Sequence, residues 1–506
     1  MADRYSKMDF DEKDEFNRRI SSLIIEGKLT EADSLLNTKG DINRRAETLR
    51  LHQEANAQAE QEIRKKQKNL EKSKVLAQKE LEDLAQDCYS KFEIFKMQHQ
   101  NDSAAYFIQL RAMLDSTNIE WQLEAGDFIM NYLANYELTG RYYNKALRQA
   151  VLEQDSVQMG NCYNNLGTLN CMQGDLKKGL EEMRQAITIH KQIYGEKHPE
   201  MAIHYNNLGY ILANLGEIDK AKEYIEEALS INMLVNNGSH VEVANSYNSL
   251  GMVNLIKGEI IEARLFFRKS LNTVNKIYGQ THPLYAVSLD NIGQSFLKSG
   301  DLDSALVYHN ASLEQKLLLY NELHPDVASS YLNIGGVYLE KKEYKESISF
   351  FEKAKTIFKK LNGDNSPNVA LCYNNIGRAY EEMENYDMAL SNYNISLSIN
   401  IMVWGDKHPR IATNYNNIGS VLTSMNLLQE GINYYQKALS IRLAVFGDIH
   451  PLVSLLYSNI AAAYHDMNDT SNEISYYKKA LESLPTEHPQ RRIIMEKIDL
   501  LEKKGH

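Results

Sequence analysis

At 506 residues the chain is too long for one compact core, so it must form several domains or a repeat array. Its 8 Pro, 26 Gly, 43% hydrophobic and 24% charged residues describe a helix-rich chain with core-forming residues throughout, which excludes extensive disorder. A net charge of -11 and a pI near 5.8 argue against a nucleic-acid ligand, which needs a concentrated basic face; no window approaches a membrane span, and Met1 to Ile20 has no apolar stretch fit for a secretory signal, so a cytoplasmic location is expected.

Residues 1–43 read as a short helical segment, with a helical pair over Asp11 to Thr38 turning at Gly27-Lys28-Leu29-Thr30. Residues 44–84 predict one long charged helix, because Arg44 to Leu84 contains neither Gly nor Pro. Leu49, Ile63, Leu70, Ala77 and Leu84 share a heptad position, but the other seam position holds His52, Ala59, Lys66, Ser73 and Glu80. That half-seam leaves two readings open: a solvated helix covering the first repeats, or a weak coiled coil that binds a partner or forms a homodimer. Residues 85–156 hold one or two degenerate hairpin units, with Ala104-Ala105-Tyr106 in one, and Trp121 in a tyrosine register with Ala125 in a glycine register in the other.

Over residues 157–489 a segment recurs at an unbroken step of 42 residues, giving eight units. It reads Tyr163-Asn-Asn-Leu-Gly167, Tyr205-Asn-Asn-Leu-Gly209, Tyr247-Asn-Ser-Leu-Gly251, Leu289-Asp-Asn-Ile-Gly293, Tyr331-Leu-Asn-Ile-Gly335, Tyr373-Asn-Asn-Ile-Gly377, Tyr415-Asn-Asn-Ile-Gly419 and Tyr457-Ser-Asn-Ile-Ala461. A small residue follows nineteen positions after the Gly, as at Ala186, Ala228, Ser270 and Ala354. Fixed small residues at that spacing suit two antiparallel helices, A and B, whose backbones approach closely. Gly174-Asp175, Gly216-Glu217, Gly258-Glu259 and Gly300-Asp301 break the hairpin, with the carboxylate expected to cap helix B. Connectors such as Tyr194-Gly-Glu-Lys-His-Pro199 and Trp404-Gly-Asp-Lys-His-Pro409 separate units, glycine closing one helix and proline opening the next. Residues 490–506 predict an amphipathic capping helix carrying Ile493, Ile494, Ile498 and Leu501.

The Tyr-x-x-Leu/Ile-Gly run, the Gly-Asp break and the late Ala resemble the tetratricopeptide (TPR) repeat. The 42-residue period and the Gly-Asp-x-His-Pro connector are similar to the long TPR subclass of kinesin light chains and many bacterial relatives. The resemblance implies an all-α fold, a right-handed superhelical TPR solenoid of helical hairpins preceded here by a long N-terminal helix, and a concave face that binds protein.

Chemistry is not expected. Cys88, Cys162, Cys171 and Cys372 make no CxxC pair and read as small buried hydrophobes, and His198, His282, His324, His408 and His450 occur once per repeat, too far apart to share a metal. Their imidazoles are expected to hydrogen-bond the connector. No phosphate-binding loop, nucleophile elbow or HExxH is present, so no enzyme, cofactor or metal is predicted.

Asparagine within helices is the informative polar signal, since its helix propensity is poor. The second rung (Asn165, Asn207, Asn291, Asn333, Asn375, Asn417 and Asn459, with Ser249 the exception) reads as a bridge between adjacent helices. The first rung, Asn164, Asn206, Asn248, Asn374 and Asn416, allows the same reading or a groove-facing role; the resemblance to kinesin light chains implies that helix-A asparagines hold a peptide backbone. One turn on, Tyr210, Met252, Leu255, Leu297, Arg378, Glu381 and Glu382 are expected on the same concave wall, apolar in the middle and acidic near the sixth unit. The expected function is a non-enzymatic adaptor that binds a peptide or protein segment in this groove. The alternative is a regulatory or sensor subunit controlling a separate effector such as a protease.

Overall fold

A computed structural model describes residues 15–235, 240–486 and 488–504. Among these residues all regular structure is helical, and the chain divides into two compact units, residues 1–85 and 86–506.

The first unit holds α1 (Glu15–Ile25) and α2 (Leu29–Asn37), which turn at Gly27 with φ +74°. The start of the expected pair, Asp11 to Asp14, lies outside the described residues. Next comes α3 (Ile42–Met97), which continues past the expected end at Leu84. Its polar stretch gives way there to apolar residues: Cys88 and Phe92 are buried, and the Phe92 ring meets Phe128 edge-on at 5.0 Å. The last turns of α3 therefore pair with α4 (Asn101–Leu114) as the first degenerate hairpin of the second unit. Upstream, Leu49, Ile63 and Leu70 are 60%, 54% and 58% exposed, so the half-seam is solvent-facing.

The second degenerate hairpin is α5 (Ile119–Phe128) and α6 (Tyr136–Glu153), joined through a π-helical turn at Ile129–Leu133. The turn absorbs one extra residue and so corrects the expected register: Gly126, not Ala125, takes the close-approach position, where a Cβ would lie 2.5 Å from Tyr143 Cε1. Eight regular hairpins follow: α7 (Ser156–Met172) with α8 (Leu176–Tyr194), α9 (Pro199–Asn214) with α10 (Ile218–Val235), α11 (Val241–Lys257) with α12 (Ile260–Tyr278), and α13 (Pro283–Lys298) with α14 (Leu302–Leu319). The series continues with α15 (Pro325–Glu340) and α16 (Tyr344–Asn362), α17 (Pro367–Glu382) and α18 (Tyr386–Trp404), α19 (Pro409–Ser424) and α20 (Leu428–Phe446), and α21 (Pro451–Asp466) and α22 (Thr470–Glu482). The last helix, α23 (Gln490–Lys504), buries Ile494 and Ile498 against Tyr477 and Leu484 and so covers the final hairpin.

One contact explains the helical glycine of six units, Gly209, Gly251, Gly293, Gly335, Gly377 and Gly419. Sixteen residues later, helix B sends a large side chain onto it: a Cβ at Gly251 would meet the buried Phe267 ring at 2.3 Å, and the same clash recurs at Gly377 with Tyr393. Cores then form between neighbours, as where Met183 of one unit packs with Leu208, Ile211 and Ile225 of the next and Leu250 and Val253 of the one after. Asp175, Asp301 and Asp469 cap their helices B through the side chain, but Glu259 makes no such bond; the extra methylene takes the carboxylate past the N–H it would accept from.

The solenoid of the second unit curves until it meets itself. His408 Nε2 bonds to the Met172 carbonyl at 2.9 Å across 236 residues, and Asn362 Nδ2 donates to the Tyr132 carbonyl at 3.0 Å across 230. Tyr136 stacks on Trp404 at 4.3 Å. At the 42-residue period these separations place between five and six units in each superhelical turn. Gly174, with φ +83°, sits so close to the next turn that a Cβ would lie 2.4 Å from Pro409 Cδ.

Candidate functional site

Every His-Pro connector, and the His240-Val241 junction, resolves into one local device. His198, His240, His282, His324, His408, His450 and His488 each accept, through Nδ1, the backbone N–H two residues later at 3.1–3.3 Å. At His198, His282, His324, His408 and His450 the ring also stacks on the aromatic residue four positions earlier, as in Trp404–His408 at 4.3 Å and Phe446–His450 at 4.1 Å. Imidazole thus performs the N-cap task usually given to Ser or Asp, and accepting at Nδ1 fixes the proton on Nε2. At His408 that Nε2–H is the donor to Met172, so one neutral tautomer caps a helix and ties two superhelical turns. Burial pulls His408 and His450 down to about 4.

The asparagines form a ladder between units. The second-rung amide of one unit donates to the first-rung carbonyl of the unit before: Asn207 to Asn164 at 3.0 Å, Asn291 to Asn248 at 3.3 Å, Asn417 to Asn374 at 2.9 Å and Asn459 to Asn416 at 2.8 Å. Expectation for the first rung is thereby altered, since four of its five carbonyls are committed to the scaffold. Asn248 is itself buried, and its Nδ2 has no partner. The fifth, Asn206 Oδ1, is buried and unpartnered, because position 249 supplies Ser where the ladder requires Asn. Asn164 is further engaged by His204, whose Nδ1 lies 3.1 Å from its Oδ1. Where the fourth unit carries Asp290 instead of Asn, the rung becomes a buried cluster: Lys316 Nζ lies 2.6 Å and His309 Nδ1 2.9 Å from the carboxylate, and Lys316 also donates to Ser330. Asp290 is held below the usual carboxylate range; burial opposes this, and the His309 hydrogen bond and the Lys316 charge prevail. The sequence marked this exception only as a departure from the pattern.

Immediately after the helical Gly, the register Thr168, Tyr210, Met252, Gln294, Gly336, Arg378, Ser420 and Ala462 contains no buried residue. Tyr210 is 65% and Met252 42% exposed. Arg378 pairs with Glu340 of the preceding unit at 2.8 Å. Positions one turn further on divide. Leu255 packs against the core of Ala263, Phe267 and Ile292 and is withdrawn from the wall, and Leu297 is half-buried. Glu381 accepts from Tyr393 Oη at 2.6 Å and Ser420 Oγ at 2.7 Å, whereas Glu382 is exposed. The structure therefore leaves Tyr210, Met252, Arg378 and Glu382 solvent-facing and makes Leu255, Glu381 and the first-rung carbonyls parts of the framework.

Cys88, Cys162 and Cys372 are buried, and burial raises the thiols of Cys162, Cys171 and Cys372 to about 12, which disfavours the nucleophilic thiolate.

A solenoid of stacked helical hairpins with a solvent-facing stripe along its A helices belongs to the class of helical-repeat interaction proteins. The tetratricopeptide repeat model matches residues 158–233, 242–316, 326–400 and 410–486, more than half of the chain, and the chain belongs to that family, whose repeats mediate protein–protein interaction. No curated protein matches the chain. Among solved structures it is similar to BtubC (BKLC) from P. vanneervenii, at 19% identity over 47% of this chain and 92% of that one with a TM-score of 0.37. It is also similar to the nearly identical TPR-like repeats of a "putative kinesin light chain" from Podosopora anserina, at 16% identity over 40% of this chain and 97% of that one, TM-score 0.34, and to a point-substituted form of those repeats, with the same identity and coverage and a TM-score of 0.35. Among the described residues no helix is long and apolar enough to cross a membrane.

Proposed function

We propose that this protein is a non-enzymatic adaptor that binds a peptide or protein segment along the A-helix face. The observation that carries the reading is the unburied register through Tyr210, Met252 and Arg378, in which two large apolar side chains remain in water. Tyr210 and Met252 supply apolar contacts near the second and third units. Glu382, beside the Arg378–Glu340 pair, meets a basic residue of the partner near the sixth. First-rung asparagines contribute only secondarily to their scaffold role, since the amides of Asn164 and Asn416 donate to Asn165 and Asn417, that of Asn206 donates to Ser246, and that of Asn248 is buried.

The test compares proteins captured from native extract by wild type and by a Tyr210→Ala/Met252→Ala variant, since neither substitution touches the core. A specific partner lost by the variant supports the reading; identical capture overturns it. Measuring that partner's own activity with and without the chain separates a plain adaptor from a regulatory subunit that holds an effector inactive. The solvent-facing seam of Leu49, Ile63 and Leu70 favours self-association through α3 as an additional property, and a monomer in sedimentation equilibrium rejects it.

A further inference from the structure

Where the superhelical turns meet, they enclose a cavity of about 880 Å³. One wall comes from the ends of α7, α9 and α11, including Met172, Tyr210 and Lys257; the other comes from the connectors that open α19, α21 and α23. Two guanidinium groups line it, Arg410 in the first turn of α19 and Arg442 four residues before the end of α20. Each lies near an aromatic ring, Arg410 at 5.4 Å from Trp404 and Arg442 at 5.6 Å from Phe446. Arg442 donates to Thr413 Oγ1 at 2.8 Å. Neither has a carboxylate partner among the described residues. The one acidic residue of the lining, Asp219, already pairs with Lys257 at 3.1 Å, and Lys257 pairs with Glu259 as well.

An excess of two positive charges in one cavity is unexpected in a chain whose net charge is -11. Arg410 is exposed at the cavity mouth and Arg442 is half-buried, and partly buried charge without a counter-charge is costly; three helix N-termini adding positive partial charge to the same wall raise that cost. An anion relieves both. Guanidinium groups favour an oxyanion that accepts two parallel N–H bonds, which phosphate does. The volume exceeds what a lone phosphate fills, and Tyr210, Phe446 and Leu452 supply apolar wall for the remainder of a ligand. We propose that the cavity between superhelical turns binds a small phosphorylated molecule, its anionic group held by Arg410 and Arg442. Because the ligand touches both turns, its binding also fastens the closed superhelix.

Isothermal titration of the full chain with inorganic phosphate, pyrophosphate and ATP, at matched ionic strength, tests this. One saturable site is expected, and the ranking of the three shows whether the phosphate alone or the organic part is recognised. Arg442→Gln should weaken binding about tenfold and Arg442→Lys less, because lysine keeps the charge but loses the fork. Arg410→Gln/Arg442→Gln should abolish binding, and the exposed Lys197→Gln should leave it unchanged. No saturable binding of any probe at ~10 mM overturns the proposal, as does wild-type affinity in a double variant that retains its helical circular dichroism. Should the double variant not fold, wild type alone decides: pyrophosphate must raise the urea midpoint above that in chloride of equal ionic strength, and an unchanged midpoint overturns the proposal.

Discussion

Replacing Ser249 by Asn should complete the one interrupted rung of the asparagine ladder. Asn206 Oδ1 is buried without a partner, while its Nδ2 donates to Ser246 Oγ at 3.4 Å. The equivalent carbonyls in four other units accept an amide 43 residues later at 2.8–3.3 Å. A buried acceptor left unsatisfied costs about 1–3 kcal/mol, and a hydrogen bond of this kind contributes about 1 kcal/mol net. Ser and Asn differ little in helix propensity, and Ser249 is only half-buried, so Asn enters without a core clash. Ser249→Asn should therefore stabilise the array by about 1 kcal/mol, read as a higher urea midpoint at unchanged slope. The result is indifferent to which way the Asn206 amide is turned, because the introduced carboxamide offers both a donor and an acceptor. The gain must disappear in the Asn206→Ala background. A neutral or lower midpoint in the single variant, or a gain that persists without Asn206, refutes the reasoning.

Gly251→Ala should lose about 1–3 kcal/mol, because its Cβ enters the Phe267 ring, and Phe267→Leu in the same chain should recover part of the loss; Gly336→Ala, whose Cβ meets nothing within 4 Å, should instead gain about 0.5–1 kcal/mol in the same urea assay. Gly174→Ala and Gly258→Ala introduce the same left-handed strain, but only the first strikes the next superhelical turn, so X-ray scattering should show expansion for Gly174→Ala and not for Gly258→Ala. Stability should also depend on pH. His204, His408 and His450 titrate near 4 when folded and near 6.5 when unfolded, so between those values the unfolded state binds more protons. Their contribution is complete above pH 6.5 and is lost as pH falls towards 4. Buried carboxyls raised by desolvation, such as Asp127 and Glu182, act in the opposite sense, so the diagnostic is a difference: His408→Asn, which preserves a capping side chain, should reduce the pH slope of the urea midpoint by about one proton relative to wild type.

The sequence by itself determined the repeat unit and almost everything inside it. Unit borders, the Gly and Pro punctuation, the small residues at the hairpin crossing and the bridging role of Asn207, Asn291, Asn417 and Asn459 follow from interactions within one unit or with the next, which a 42-residue period displays directly. The first rung was half legible. A lone asparagine looks the same whether it faces a groove or a neighbour, and only the geometry showed that the carbonyls of Asn164, Asn248, Asn374 and Asn416 are already taken. The end of α3 and the register of Gly126 were missed because degenerate units carry no period to read. Tertiary structure alone decided the environment of the connectors. His240 and His408 cap their helices in the same way, yet His240 is exposed and His408 is buried against Met172. The difference arises from small inter-unit rotations that accumulate until the solenoid meets itself after five to six units. A sum of rotations over more than two hundred residues leaves no mark in any local pattern, and with it comes the cavity bearing Arg410 and Arg442.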